Sequence, residues 1–422
     1  MAGALVVGLG RSGLAVARHL AAGGTPVRVC DLRRPEQLED FMARLPRGVS
    51  LSLGGYDQRV LEGCDTVYAS PGVPWDSELL DEARRRGLSV SSEMELFLRE
   101  CPAPVVGITG TNGKTTTTAL TGAILARGER PVLVGGNIGE TVLDRLAEVT
   151  PLHWVVLELS SFQLESVARP RPHIAVVLNI TPDHLDRHHT LEAYVAAKAK
   201  IVRYQEPDDF AVLNGSDPRC RRLAEETAAQ VVWFDQHRPL PPMPVPGRHN
   251  LENALAAAAV GRIAGLGDDL IEAAVRDFPG VEHRLELVGE WAGVRWYNDS
   301  KATNPDAGRV GLAAFDGTPL VLIAGGYGDG FDLREWVSEV RRRADAVVLI
   351  GASAERLESE LAGHPSLHRA AGLEDAVDQA AKLAQPGGVV LLSPAYKSFD
   401  QFKDYEDRGR RFKAAVLARH RR

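Results

Sequence analysis

The 422-residue chain carries 49 lysines and arginines against 56 aspartates and glutamates, a formal net charge of −7, with 44% hydrophobic and 25% charged residues. That is the make-up of a folded globular protein of roughly three domains at about 150 residues each. The acidic balance speaks against a nucleic-acid partner, and no apolar run approaches the ~18 residues of a membrane span, so neither nucleic acid nor membrane is expected as a partner.

The chain begins with a strand pattern, "ALVVG", that runs into "GLGRSG" (Gly8 to Gly13) and a helix pattern ending at Gly23-Gly24. This is strand, turn and helix with no basic leader, so the expected location is the cytoplasm. "PVRVCDL" and "CDTVYASPGV" read as further strands of a parallel sheet. G-x-G-x-x-G followed about 20 residues later by Asp31 fits a diphosphate-bearing nucleotide, and from this segment alone an NAD-dependent oxidoreductase stays open. Cys30, Cys64, Cys101 and Cys220 stand far apart with no CxxC pair, which argues against zinc and against a disulfide framework.

A second unit starts near Ser92. Its first strand, "PVVGITG", leads into "GITGTNGKTTTT" (107–118) and a helix-prone run. A lysine after glycine at the mouth of a helix puts an ammonium, free N–H groups and the helix dipole on phosphate oxygens, and Thr115 can reach Mg²⁺. The spacing departs from G-x-x-x-x-G-K-[ST], because Ile108 stands five before Gly113 and Gly110 lies inside the loop. A non-enzymatic nucleotide switch fits this loop as well. "WVVLELS" ends in Glu158, where a metal-binding carboxylate beside such a loop belongs. "NITPDHLDRHHT" crowds Asp183, His184, Asp186, His188 and His189 into one turn, read as a polar loop with one or two residues at a metal. In "LEAYVAAKAKIVRY", Lys198 and Lys200 cannot share a helix face: one can point inward and the other into water, although this segment taken alone reads as two solvated lysines. "RPLPPMPVPG" (238–247) is a loop, because successive prolines forbid helix and ladder donors. The alanine-rich "NLENALAAAAVGRIAGL" should be a buried helix.

The third unit runs from about Val281, with "PLVLIAGG", "AVVLIG" and "GVVLLSPA" as buried strands. Only eight lysines occur beside 41 arginines. Five of the eight, Lys114, Lys198, Lys301, Lys397 and Lys403, fall inside these motifs, which marks them as chemical choices rather than mere positive charges.

"TGTNGKTTTT" with "LELSSFQLE" resembles the Mur ligases, and "GNIG", "TPDHLDRH", "GRHNLENALAA", "HRLE", "NDSKATN" and "LLSPAYKSFDQFKDYEDRG" follow in order along the whole chain. "ELSSFQLE" and "DSKATN" are most like the branch that adds D-glutamate; a sister ligase adding another amino acid is the near alternative. The resemblance implies an α/β fold of three domains, each on a mostly parallel sheet: a Rossmann-like UDP-substrate domain (1–93), a P-loop ATPase-like central domain (94–280) and a Rossmann-like C-terminal domain (281–422). It implies a monomer whose substrates are UDP-N-acetylmuramoyl-L-alanine, D-glutamate and ATP. ATP-driven amide formation would pass through an acyl phosphate, with Lys114, Glu158, His184, Lys198 and Lys301 as the catalytic set. ATP would meet Gly110, Thr111, Asn112, Gly113, Lys114, Thr115, Thr116, Asn250, Asn253, Arg284 and Asp299. The UDP-substrate would meet Ser12, Asp31, Ser70, Gly72, Asn137, Ser160, Gln163 and His184. D-glutamate would meet Lys301, Thr303, Ser398 and Tyr405. Two Mg²⁺ ions are implied, on Thr115, Glu158, His184 and a carbamylated Lys198. Many relatives have a lysine where this chain has Asp329, so one cation expected for the D-glutamate carboxylate is either missing or replaced by Lys301 or Lys397. Arg11 and Leu32 differ from the common residues at the uridine-facing turn and are left out of the expected site.

Overall fold

The computed structural model describes residues 3–139, 141–236, 240–328 and 330–420, with the backbone alone at Asp186, Gln236 and Arg248. The sequence alternates buried apolar runs with helices, and among the described residues these runs assemble into three sheets. In the first, β1 (Gly3–Val7), β2 (Val27–Asp31), β3 (Ser50–Leu53), β4 (Cys64–Ala69) and β5 (Ser89–Ser92) are parallel in the order β3-β2-β1-β4-β5. In the second, β6 (Val105–Thr109), β7 (Val132–Gly136), β8 (Trp154–Glu158), β9 (Ile174–Val177), β10 (Phe210–Leu213) and β11 (Gln230–Trp233) are parallel in the order β11-β10-β9-β6-β8-β7. The third holds β12 (Glu286–Trp291), β13 (Val294–Asn298), β14 (Leu320–Gly325), β15 (Ala346–Ile350), β16 (Leu367–Arg369) and β17 (Val389–Leu392), in the order β12-β13-β17-β14-β15-β16. It is parallel except for the β12–β13 hairpin, whose turn places Ala292 and Gly293 at φ 51° and 75°.

The strands that the sequence announces are those buried on both faces. β6, β8, β9, β14, β15 and β17 are buried throughout and read as short runs rich in Val, Ile and Leu. β3, "SLSL", is an edge strand with two exposed and two half-buried residues, and carries no such run. The alanine-rich helix Arg248–Ile263 is buried as expected, with Ala256 to Ala259 at most 1% exposed.

Two compact units result, Met1–Leu240 with Glu252–Ala274, and Pro241–Leu251 with Val275–Arg422. The first holds two sheets because one continuous apolar core joins them: Val6, Leu14 and Phe97 from the first share it with Val105, Leu157 and Val177 from the second.

At that junction lies Glu93, opening the helix Glu93–Glu100 and 4% exposed. Burial pushes its carboxyl up to about 7; the Leu143 N–H, 3.3 Å away, offsets this only in part, and nearby Asp144 adds to it. The folded protein therefore keeps a proton that the unfolded chain releases near pH 4.5, and stability falls as pH rises from there towards about 7. Glu93→Gln is expected to stabilise by less than about 1 kcal/mol near pH 5 and by roughly 3 kcal/mol at about pH 8. Thermal melts at the two pH values check this; an equal shift at both would refute it.

Candidate active site

At the carboxyl end of β6 the chain turns through Gly110 and Gly113 into the helix Lys114–Leu125. Gly113 caps that helix at φ 86°, and a Cβ there would stand 2.2 Å from the Asn253 Oδ1, so glycine is required on both counts. The loop is braced from β9: the Thr111 N–H donates to the Asn179 carbonyl at 2.9 Å, and the Asn112 N–H donates to the Asn179 Oδ1 at 2.8 Å. The Thr111 hydroxyl lies 3.0 Å from the Tyr194 hydroxyl and donates to the Thr181 carbonyl. Thr115 and Thr116 are buried in the first helical turn.

Two ammonium groups converge on one carbonyl. Lys114 Nζ donates to the carbonyls of Gly110 (2.9 Å) and Thr111 (2.8 Å), and Lys198 Nζ donates to the same Gly110 carbonyl at 2.8 Å. Lys198 is 1% exposed on the helix Leu191–Arg203, and burial, with Lys114 alongside, holds its pKa well below the ordinary lysine value. Lys200, on another face, donates to the Glu165 carbonyl at 2.9 Å and is half-buried, so it does not stand free in water.

Glu158 ends β8 and is 2% exposed. Its Oε1 accepts from Asn137 Nδ2 at 3.0 Å, while the buried Oε2 has no hydrogen-bond partner. A buried carboxylate oxygen without a donor is what a cation would satisfy. The crowded turn resolves into separate roles. His184, half exposed, takes the left-handed φ 53° and caps the short helix Leu185–His188, with its ring 5.0 Å from Phe162. His188 is buried, stacked on Phe162 and 2.9 Å from the Ser161 hydroxyl. His189 pairs with Asp76 at 3.0 Å. Asp183 accepts the His184 N–H. His184 is thus the exposed imidazole beside Phe162.

Between the first two sheets lies a cavity of about 620 Å³. Ser12, Asp31, Ser70, Gly72, Asn137 and Gln163 line it. Ser160 does not: it caps the helix Ser161–Ser166, and its N–H and hydroxyl both lie within 3.1 Å of Gln163 Oε1. His184 does not line it either. Arg11, Leu32 and Arg33 do. Arg33 grips Asp31 through two nitrogens, at 3.0 and 2.7 Å, and the Leu9 N–H also donates to that carboxylate. Burial pushes Asp31 up, but these hydrogen bonds outweigh it and leave its pKa below the usual range. Arg33 was visible in sequence only as one arginine among many.

The remaining expected residues belong to the second unit. Asn250 Nδ2 donates to the Pro246 carbonyl at 2.7 Å. Asp299, just past β13, accepts from the Ser393 hydroxyl at 2.8 Å, and burial raises it to about 7 against that bond and the pull of Arg284. Lys301 Nζ lies 5.7 Å from the Tyr405 ring centre. Ser300, beside Lys301, donates to the Tyr405 carbonyl at 2.7 Å. Thr303 is half-buried and Ser398 buried. Asp329 lies outside the described residues. Among those described, one cluster, Glu282, His283 and Glu286, has metal-like spacing, but the Lys413 ammonium is within 2.8 Å of both glutamates and takes the place of a cation.

Three family models match in succession: Mur ligase MurD-like, N-terminal domain, over residues 2–92; Mur ligase middle domain over 108–240; and Mur ligase, glutamate ligase domain, over 283–396. A UDP-N-acetylmuramoylalanine--D-glutamate ligase of Acidobacterium capsulatum is 44% identical, covering 98% of this chain and 96% of its own. The chain belongs to the Mur ligase family. A relative of the same name from Pelotomaculum thermopropionicum is 42% identical over 98% of this Mur ligase and 97% of its own length. The fold agrees with the crystal structure of UDP-N-acetylmuramate-alanine ligase from Thermotoga maritima (TM-score 0.60, 21% identity, covering 100% and 99% of the two chains). It also agrees with that of MurF from Acinetobacter baumannii (TM-score 0.63, 18% identity, 98% and 93%). As expected of the family, this Mur ligase is an α/β protein on three largely parallel sheets and an ATP-dependent, amide-forming enzyme. Among the described residues no helix is long and apolar enough to cross a membrane.

Proposed function

We propose that this chain joins D-glutamate to UDP-N-acetylmuramoyl-L-alanine at the expense of ATP, a cytoplasmic step of peptidoglycan precursor synthesis carried out by a monomer. The observation that carries the reading is the convergence of Lys114, Lys198 and the Gly110 carbonyl beside a phosphate-type loop, in a chain 44% identical to a ligase of that name. Residues 1–93 would hold the UDP-substrate in the cavity lined by Ser12, Asp31, Ser70, Gly72, Asn137 and Gln163. Residues 94–280 would hold the ATP phosphates on the loop 110–116. Residues 281–422 would contribute Arg284 and Asp299 to the nucleotide and Lys301, Thr303, Ser398 and Tyr405 to D-glutamate, with Asn250 and Asn253 completing the nucleotide site. An oxygen of the substrate carboxylate attacks the γ-phosphorus and ADP leaves; the amine of D-glutamate then attacks the acyl-phosphate carbonyl, loses a proton, and phosphate departs. Two anions must meet in the first step, and the Lys114 ammonium offsets part of their repulsion.

The donor set fits Mg²⁺. Glu158 has a buried oxygen without a partner, and Thr115 and His184 offer a hydroxyl and an imidazole. A second ion needs an anion where Lys198 stands. A buried amine whose pKa is depressed is available uncharged to take up CO2 as a carbamate, which an arginine cannot do. Bound there, the ions would supply charge neutralisation of the transferring phosphoryl group.

The test is phosphate release by the purified protein. It should require ATP, the UDP-substrate and D-glutamate together, with one amide formed per phosphate. Equal release without D-glutamate rejects the assignment, and equal release with another amino acid in its place points to a sister ligase. The oxidoreductase reading has less support, because Asp31, the acid that would meet an NAD ribose, is already held by Arg33.

A further inference from the structure

In the third sheet β17 lies between β13 and β14, so the chain passes over it on leaving β13 and returns to it last. The helices that follow β14 and β17, Arg334–Arg343 and Tyr405–His420, pack with different partners: the first with Pro305–Ala313, the second with Leu373–Leu383. The carboxyl ends of β14 and β17 therefore flank a topological switch point, the place where parallel sheets open a crevice for a ligand.

The loops at that point are pinned together. Tyr327 and Lys397 form an isolated antiparallel bridge, with the Tyr327 N–H donating to the Lys397 carbonyl at 2.8 Å. Gly326, at φ 149°, allows the approach, since a Cβ there would stand 2.2 Å from that carbonyl. Arg408, 1% exposed, ties in a third loop: it donates to the carbonyls of Tyr396 (3.0 Å) and Ser300 (2.8 Å) and to the Ser300 hydroxyl (2.9 Å). Backbone is thereby fixed on either side of two lysines, Lys301 next to Ser300 and Lys397 next to Tyr396. Lys301 is half-buried beside Tyr405, whereas Lys397 is exposed between exposed aromatics, Tyr327 at 53% and Phe399 at 64%. Among the described residues the Lys397 ammonium makes no ion pair or hydrogen bond. A cation held by its backbone at such a switch point, in a chain that mostly uses arginine for charge, is placed to meet an anion.

We infer that Lys397 receives a carboxylate of the incoming amino diacid and so helps this enzyme prefer D-glutamate to amino acids with neutral side chains. The inference rests on the proposed ligase reaction. An exposed charge-assisted contact that leaves the fold untouched acts on substrate binding, not on turnover.

The experiment compares Lys397→Ala, Lys397→Arg and Lys397→Glu with the unaltered protein. Lys397→Ala should raise KM for D-glutamate about tenfold or more and leave kcat and the KM values for ATP and the UDP-substrate within about twofold. Lys397→Glu should raise it further, and Lys397→Arg should stay near the unaltered value. An unchanged D-glutamate KM in the alanine variant, or equal rises in all three KM values, overturns the inference while the ligase assignment stands. If the unaltered protein releases no phosphate with D-glutamate, the ligase assignment fails first and the inference with it.

Discussion

Lys114→Ala should lower kcat/KM for ATP-dependent phosphate release by about 10³-fold, the order expected when one well-placed electrostatic group is removed from phosphoryl transfer. In the loop the ammonium donates to the carbonyls of Gly110 and Thr111. Both are hydrogen bonds to main-chain carbonyls of the same loop, which the ammonium exchanges for phosphate oxygens on binding. Lys114→Arg should also fail. The planar fork of a guanidinium does not fit where a compact charge sits on a tight turn, and 41 arginines show that the chain had no shortage of the alternative. Steady-state phosphate release, with circular dichroism to verify folding, decides the matter. Activity within about threefold of the unaltered enzyme in either variant would remove the loop from the mechanism.

How much of this was legible in the sequence depends on how far each residue acts through local pattern. The phosphate loop, the strand ending in Glu158 and the buried strands of all three sheets declare themselves, because turn chemistry and two-sided burial leave marks within ten residues. β3 and the β12–β13 hairpin do not, since "SLSL" at a sheet edge buries little and the hairpin breaks the parallel pattern. The site residues divide in the same way. Lys198 could be singled out from lysine scarcity and family resemblance, but its burial and shared carbonyl with Lys114 come from strands and helices some 90 residues apart. Arg408 carried no signal, since it acts through the distant backbone of Ser300 and Tyr396, and Arg33 only looked like one arginine among many until its grip on Asp31 and the Leu9 carbonyl was seen. The dense histidine run shows the opposite relation, sequence neighbours with separate surroundings. Its residues are adjacent in sequence but face Phe162, Ser161 and Asp76 in turn.

Lys198→Ala should reduce activity by about 10³-fold, and the reason decides between two roles for this side chain. If Lys198 acts as a cation, then an added ammonium compound should restore activity and a carboxylic acid should not. If it acts as a carbamate, the sign reverses: a short carboxylic acid such as acetate, supplied at high concentration, should occupy the space vacated by the side chain and return at least about tenfold of the lost rate, while chloride at equal ionic strength returns none. We propose the second role. Two charged ammonium groups on one Gly110 carbonyl repel each other, and burial removes the water that would screen them, so Lys198 is held towards its uncharged form. A neutral amine at that point adds nothing to a phosphate site, but converted to a carbamate it would offer two oxygens to a cation. The unaltered enzyme should then lose activity when CO2 is stripped from the buffer and regain it on adding bicarbonate. Indifference to CO2 together with rescue by ammonium compounds would leave Lys198 as a simple cation and take the second Mg²⁺ site away.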